Sequence, residues 1–425
     1  MVDDEANQLW NNVMSAQCAH PSVSGQIWYV SHNGDDANDG KSPQTAVATI
    51  AALNEQCNPK AGDAILLECG GVYRGTLVLY SDMFLGSYGS GDKPCLYGSR
   101  MNYATAMWLR QENTTIWRLE EILPSDVGIV VFEHGESVGL KKTSLAELSD
   151  DLDFYFEDGY VYLYSDHDPS TRFHSIEIGV REHGVLMAAH SSNVTVDNLT
   201  VKYVGGHGIV SLDNAKNITI RNCEIGWIGG SYLSAGVPFG NGVEFWNGCE
   251  NALVENCWVY QIFDSGLSHQ GNLYGAKNIT FRKNLIEYCD YASIEYWHHP
   301  GAGNAMEDVT YAENIMRFSG AGWGSFRRGS GAPHIRGGGG MDNLCTNFNI
   351  TDNIIEGCGT GALLVCRSEV NTFPVFSGNR YIQSLGGSLA IYGRGSTDVR
   401  DAAYAQKEIK EIVKDTTGTF ELYPY

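Results

Sequence analysis

The chain has 425 residues and a net charge of −22, with 50 acidic against 28 basic side chains and no Lys/Arg-rich stripe, which argues against a nucleic-acid partner and less strongly against a polyanionic polysaccharide. No apolar run reaches the ~20 residues that a membrane-spanning helix needs, so no membrane partner is expected. Fifty glycines against eleven prolines, without a collagen period, favour many tight turns, and eleven cysteines with no CxxC pair argue against a disulfide framework and a structural zinc site.

Residues 1–60 read as an N-terminal capping segment. The start, MVDDEANQLW, is acidic where a signal peptide needs positive charge, and the cysteine usage suits a reducing compartment, so the chain as it stands reads as cytoplasmic, as a trimmed chain also would. Leu9, Trp10, Val13 and Met14 share one helical face. From Ile27 to Asn54 a strand, a turn-rich loop and a helix follow, and that helix could plug the open end of a stack. The loop's acids lack the alternate spacing and closing Glu of an EF-hand, so they read as Asx turns, with no cofactor expected and calcium the one left open. Residues 61–104 read as first coils and 105–180 as an inserted β-rich module, with strands GIVVFE and YVYLYS and a helix at LAELSDDL. The main body is 181–395, and 396–425 is a C-terminal cap with a charged helix from about 398 to 414.

The main body repeats a short phrase in which a β-branched strand ends in a polar residue, then Asn, then another strand. The turn Asn is Asn198, Asn222, Asn256, Asn284, Asn314, Asn353 and Asn379, in steps of 24, 34, 28, 30, 39 and 26 residues. A floor near 24 with irregular excess is the signature of a fixed coil interrupted by loops, so the fold class is all-β, a parallel β-helix. Cys223 and Cys257, each after a turn Asn, should stack as small buried hydrophobes.

The strand before each phrase reads GIVS at 208, GVEF at 242, GLSH at 266, SIEY at 293, GSFR at 324 and GALLV at 361. In register, Val210, Glu244, Ser268, Glu295 and Phe326 form one column and Ile209, Val243, Leu267, Ile294 and Ser325 the next. Alternation then turns the apolar column inward and presents Glu244 and Glu295 to solvent. The extra residues of the 34-step, Gly229–Gly240, precede this sheet, and those of the 39-step, Arg327–Met341, follow it, so loops should rise on both sides as walls of a cleft.

The repeat, the opening segment 29–50 and the module at 105–180 together resemble the bacterial right-handed parallel β-helix carbohydrate-active proteins. That pectate-lyase-like superfamily includes pectate lyases and β-helical glycoside hydrolases such as certain xylosidases and lacto-N-biosidases. The resemblance covers most of the chain and specifies architecture better than reaction. In those hydrolases the catalytic Asp and Glu come from nearby coils on the outer face of one sheet, which implies the same for Asp264, Glu244 and Glu295.

Glycoside hydrolysis needs two flanking carboxyl groups, about 5 to 5.5 Å apart for retention and roughly 6.5 to 9.5 Å for inversion. Glu244 and Glu295, two coils apart, should have backbones ~10 Å apart with Asp264 between them. The preferred assignment makes Asp264 nucleophile or base, Glu295 general acid, and Glu244 a third carboxylate or hydroxyl acceptor. Trp246, Tyr296 and Trp297 offer faces to pyranose rings, and His269, Gln270 and His298 could bind hydroxyls. No metal is expected, because adjacent histidines on a strand point opposite ways. Arg328 and Arg336, on the glycine-rich loop, could clamp a carboxylate-bearing sugar. The expected function is a glycoside hydrolase with an oligosaccharide or glycan substrate. The alternatives are a polysaccharide lyase acting on uronates and a non-catalytic glycan-binding β-helix, and an oligomeric partner could complete the cleft.

Overall fold

A computed structural model describes residues 2–234, 236–299, 305–329, 331–339, 345–357, 361–366, 373–392 and 395–423. Three sheets, each of ten strands among the described residues, run the length of a parallel β-helix. The first contains the strands that lead into the turn Asn, such as Ser192–Asp197, Ala215–Arg221, Cys249–Glu255 and Ala276–Arg282; the second the strands after it, such as Thr200–Val204, Glu224–Ile228 and Trp258–Ile262. The third holds Val185–Met187, Ile209–Ser211, Val243–Trp246, Ser265–Gly271, Ala292–His298, Ile335–Gly339 and Leu364–Cys366. Alternation on the first sheet stacks Val194, Ile218, Ala252, Ile279, Val309 and Phe348 as one buried column, so like packs on like through the core. Cys223 and Cys257 are buried in that core, and the described cysteines are all free.

The seven turn asparagines fall into two kinds. At Asn198, Asn222 and Asn256 the Asn itself is left-handed, with φ of 63°, 55° and 49°, as its short polar side chain permits. In the next four coils one extra residue takes that conformation instead, Lys283, Glu313, Asp352 and Gly378, and the Asn turns inside. Asn284, Asn314 and Asn379 are fully buried. There each amide nitrogen donates to the next amide oxygen, from Asn284 to Asn314, Asn353 and Asn379, at 2.9 Å each, and the series ends on Asp415 of the C-terminal cap. A second, exposed ladder joins Asn193, Asn217, Asn251 and Asn278, all left-handed, at 2.8 to 2.9 Å. It recurs five or six residues before each turn Asn, a signal present in the sequence.

The ends are closed as an open stack requires. Ile50 and Leu53 enter the core at one end, and Ala405, Ile409 and Val413 at the other. The Asp-rich loop is Asx turns: Asp35 accepts from Ala37 N and Asp39 from Lys41 N, while Asp36 caps Thr49. The N-terminal helix Val2–Ser15 lies along a flank, where Val2 and Ala6 pack with Leu285, Ile315 and Ile382, and Asp3 and Glu5 pair with Arg317 and Arg380. In the module, Val127–Phe132 and Tyr160–Tyr164 are strands over a separate core, and LAELSDDL holds only a short 3-10 turn at Leu145–Glu147. Among the described residues no helix is long and apolar enough to cross a membrane.

Asn314 makes four amide hydrogen bonds while fully buried, two donated to Phe281 O and Asn353 Oδ1 and two accepted from Asn284. Asn314→Ala is expected to cost roughly 3 kcal/mol and Asn256→Ala, half-exposed at its place in the ladder, about 1 kcal/mol, read as the shift in urea midpoint at unchanged slope.

Candidate active site on the third sheet

Parallel pairing on the third sheet runs Val210, Glu244, Ser268, Glu295, Arg336 and Val365 across adjacent strands. The neighbouring column, Val243, Leu267, Ile294 and Ile335, is wholly buried in the core, so the Glu column faces outward. The expected register holds through Glu295 and changes in the next coil. Arg336 and Ile335 stand where Phe326 and Ser325 were expected, because GSFR forms a single helical turn, Ser325–Arg328, with Phe326 85% exposed. The glycine-rich run supplies the strand instead. It can do so because a Cβ at Gly337 would lie 2.2 Å from the Tyr296 hydroxyl: the ring fills the inward space of two strands.

This change also relocates one wall. Both insertions precede their sheet strand, so both walls rise at the edge where the strands begin. The first is the hairpin of Ser231–Ser234 and Val237–Phe239. The inserted module holds it: Asp126 accepts from Tyr232 N at 2.7 Å and is ion-paired with Lys141, and Arg181 donates to Tyr232 O. The second wall is formed by residues 318–329 and 331–333. Asp290 anchors it by accepting from Gly322 N and Gly324 N at 2.8 and 2.7 Å, and burial pushes its carboxyl up to about 7. Trp323 pins the same segment, its indole N–H donating to Gln261 O and its ring set against Phe263. Arg327 ties the two walls by donating to Gly230 O.

Between the walls three carboxyl groups converge. Asp264, in the turn that leads into Ser265–Gly271, receives a hydrogen bond and an ion pair from Arg328. The guanidinium groups of Arg328 and Arg336 lie 4.3 and 4.0 Å from the Tyr291 ring centre. Glu295 Oε2 accepts from Ser265 Oγ at 2.8 Å and Gln270 Nε2 at 3.2 Å. Glu244 Oε2 accepts from Asn241 Nδ2 at 2.5 Å, while its Oε1 is buried without a hydrogen-bond partner among the described residues.

The expectation that these carboxylates meet solvent is overturned: Glu244, Glu295 and Asp264 are 1%, 5% and 8% exposed. They leave the core, but Arg328 of the second wall covers Asp264 and the Gln270 side chain covers Glu295. Loss of hydration therefore dominates their acidity. Burial, aided by the charge of Glu295, pushes Glu244 up to about 8 against the Asn241 hydrogen bond. Burial and the neighbouring Asp264 push Glu295 up to about 7. Burial also raises Asp264, opposed by Arg328 and Arg336, and Asp264 alone of the three has a direct ion pair among the described residues.

Gln270, Trp246 and Trp297 share the outer face in one register column, half-buried, with Gln270 bridging Ser268 and Glu295. His269, Tyr296 and His298 do not join them. Each is an odd number of residues from the outward Ser268 or Glu295, so it points into the core, where all three are at most 5% exposed, and the hydroxyl-binding and platform roles have no surface to act from. Their role is internal: Tyr311 Oη donates to His269 Nε2 at 2.6 Å, His269 Nδ1 to His298 Nε2 at 3.1 Å, and His298 Nδ1 to Tyr274 O at 3.3 Å. This relay requires neutral rings, and burial holds His298 at about 4 and His269 well below its ordinary value. Asn241, Ser265 and Tyr291 were not foreseen; the first two stand one residue before the aligned GVEF and GLSH phrases, which the alignment of strands alone did not cover. No cluster of three or more His, Cys, Asp or Glu able to hold a metal occurs among the described residues.

The model of the right-handed β-helix region matches residues 171–314. Among solved structures, the complex of XylC with xylose is similar at 12% identity over 94% of this chain and 82% of that one, with a TM-score of 0.51. The GH136 lacto-N-biosidase from Eubacterium ramulus is 12% identical over 94% and 68%, with a TM-score of 0.40, and the exopolygalacturonase from Thermotoga maritima 12% identical over 93% and 97%, with a TM-score of 0.41. No curated protein matches the sequence. Together with the sheet topology, the region match and the XylC similarity show the right-handed parallel β-helix fold.

Because the Glu244 carboxyl is raised from an unfolded value of ~4.3 to about 8, its contribution to stability is present below the unfolded value and lost as pH rises through the folded one. Glu244→Gln is therefore expected to leave the melting temperature at pH ~4 almost unchanged and to stabilise the fold at pH ~8 by more than ~1 kcal/mol, measured by calorimetry across pH.

Proposed function

We propose that this right-handed parallel β-helix is a glycoside hydrolase, cleaving an oligosaccharide or glycan with the carboxyl groups on the outer face of its third sheet. The observation that carries the reading is the unequal environment of adjacent buried carboxyls: Asp264 is ion-paired with Arg328, while Glu295 is held protonated to about pH 7. Two carboxyls, one ion-paired and one not, are suited to divide base from acid. Glu295 gives its proton to the glycosidic oxygen as the bond to the anomeric carbon breaks and its electron pair passes to that oxygen. Asp264, whose ionised form the Arg328 ion pair favours against burial, attacks the anomeric carbon or takes the proton from the water that does. Glu244, with its free Oε1, meets a sugar hydroxyl. Trp246, Trp297 and Gln270 line the floor and Arg328 and Arg336 the edge, and the step needs no cofactor.

The stacking of Arg328 and Arg336 on Tyr291 favours a second reading, a polysaccharide lyase in which this cationic edge neutralises a uronate carboxylate before proton abstraction.

The test is release of sugar from nitrophenyl glycosides and plain oligosaccharides by the wild type, Asp264→Asn and Glu295→Gln, with ultraviolet detection of any unsaturated product. Each variant should fold and lose roughly a thousandfold in kcat, as removal of a general acid or base does. In the wild type, kcat/KM should fall above pH about 7 as Glu295 loses its proton, a limb that Glu295→Gln abolishes. An unsaturated product would transfer the site to the lyase, and a panel without turnover would sink both enzymes.

A further inference from the structure

One row of the third sheet reaches well beyond the carboxyls. The residue before the glycine that enters this sheet is, in successive coils, His183, His207, Asn241 and Ser265, in a register set by Gly184 N, Gly208 N and Gly242 N donating to the carbonyls of His207, Asn241 and Ser265 at 3.1, 2.9 and 3.0 Å. The side chains form a ladder of their own: His207 N donates to His183 Nδ1 at 3.1 Å, Asn241 N to His207 Nδ1 at 3.0 Å, and Ser265 N to Asn241 Oδ1 at 2.8 Å. Asn241 and Ser265 each turn a second polar atom onto a site carboxyl, Glu244 and Glu295. The corresponding atom of His183 and His207 is Nε2, fixed as an N–H donor because Nδ1 accepts from the backbone. The strands behind the two histidines carry Leu186 and Val210 in the carboxylate column, so these donors face an apolar floor.

The two imidazoles stack with centres 5.2 Å apart and planes 15° from parallel, and Phe239 of the hairpin stands edge-on to both. Both rings are half-buried, and burial lowers His183 to about 4 and His207 well below its ordinary value, so both are neutral donors. The His207 and His183 coils lie three and four coils from that of Glu295, ~14 and ~19 Å at sheet spacing, beyond the reach of one sugar ring.

We propose that His183 and His207 form a distal sugar subsite, which takes a neutral pyranose unit of an extended glycan by donating from their Nε2–H groups to its hydroxyls. The subsite deepens the hydrolase reading and rests on it for the direction of the substrate chain. Neutral donors on an apolar floor recognise uncharged sugar rather than uronate.

The test uses His183→Asn with His207→Asn, because Asn already accepts the same backbone N–H at position 241, so the ladder survives while both Nε2–H donors are lost. Imidazole-detected NMR of the wild type is followed during titration with xylotetraose, cellotetraose, lacto-N-tetraose and tetragalacturonate. A neutral tetrasaccharide should shift both Nε2 signals, and its affinity should fall roughly tenfold in the double variant with melting unchanged. Where the wild type turns over a nitrophenyl monoglycoside, the variant should retain its kcat and KM. Imidazole signals unmoved by every neutral tetrasaccharide, shifts produced by tetragalacturonate alone, or undiminished binding by the variant would overturn the subsite. A wild type that binds through these imidazoles yet releases no sugar would keep the subsite and remove the hydrolase.

Discussion

Every functional distance in this protein is inherited from the coil-to-coil register, and that register is held by amide side chains. In a strand a slip of one residue exchanges the two faces, which would carry Glu244 and Glu295 into the core and Val243 and Ile294 out of it. Hydrophobic burial opposes the slip, but it is forgiving where Val, Ile and Ala columns alternate. The buried chain from Asn284 to Asn379 is not forgiving, since each amide satisfies both the backbone of one coil and the amide of the next. Its termination on Asp415 ties the C-terminal cap to the same series.

On this rigid frame the site accepts an electrostatic penalty. Three carboxyls are buried, one with an oxygen that no group among the described residues satisfies, and the frame must hold them there. The elements that keep them apart from water are borrowed from elsewhere in the chain. Asp126 and Lys141 of the inserted module brace the hairpin, Asp290 anchors the second wall, and Arg327 joins the two. The module thus acts as a buttress for a wall of the site, which gives its place between two coils a physical purpose.

The polar groups inside the solenoid obey the same economy. Tyr311, His269 and His298 pass one hydrogen-bond direction from hydroxyl to carbonyl, which works only with both rings neutral. The His183–His207 ladder uses neutral imidazoles in the same way but leaves the second nitrogen of each facing outward. Burial thus keeps both pairs neutral, their hydrogen bonds fix the tautomers, and one pair is left with a donor face.

The amino-acid sequence by itself determined the solenoid, its caps and the outward column through Glu244, Ser268 and Glu295, because these follow from period, turn chemistry and alternation along a single strand. It also contained the exclusion of His269, Tyr296 and His298, which lie an odd number of residues from that column. The second, exposed ladder of left-handed asparagines was equally legible. What only the tertiary structure decided were relations between distant segments. Arg336 entered the column because Tyr296 fills the space above Gly337, and both walls rose at one edge because GSFR became a helical turn. The carboxyls were sealed by Arg328 and by a segment hung on Asp290. Such relations depend on volume and on satisfying buried polar atoms in three dimensions, which no local pattern in the chain records.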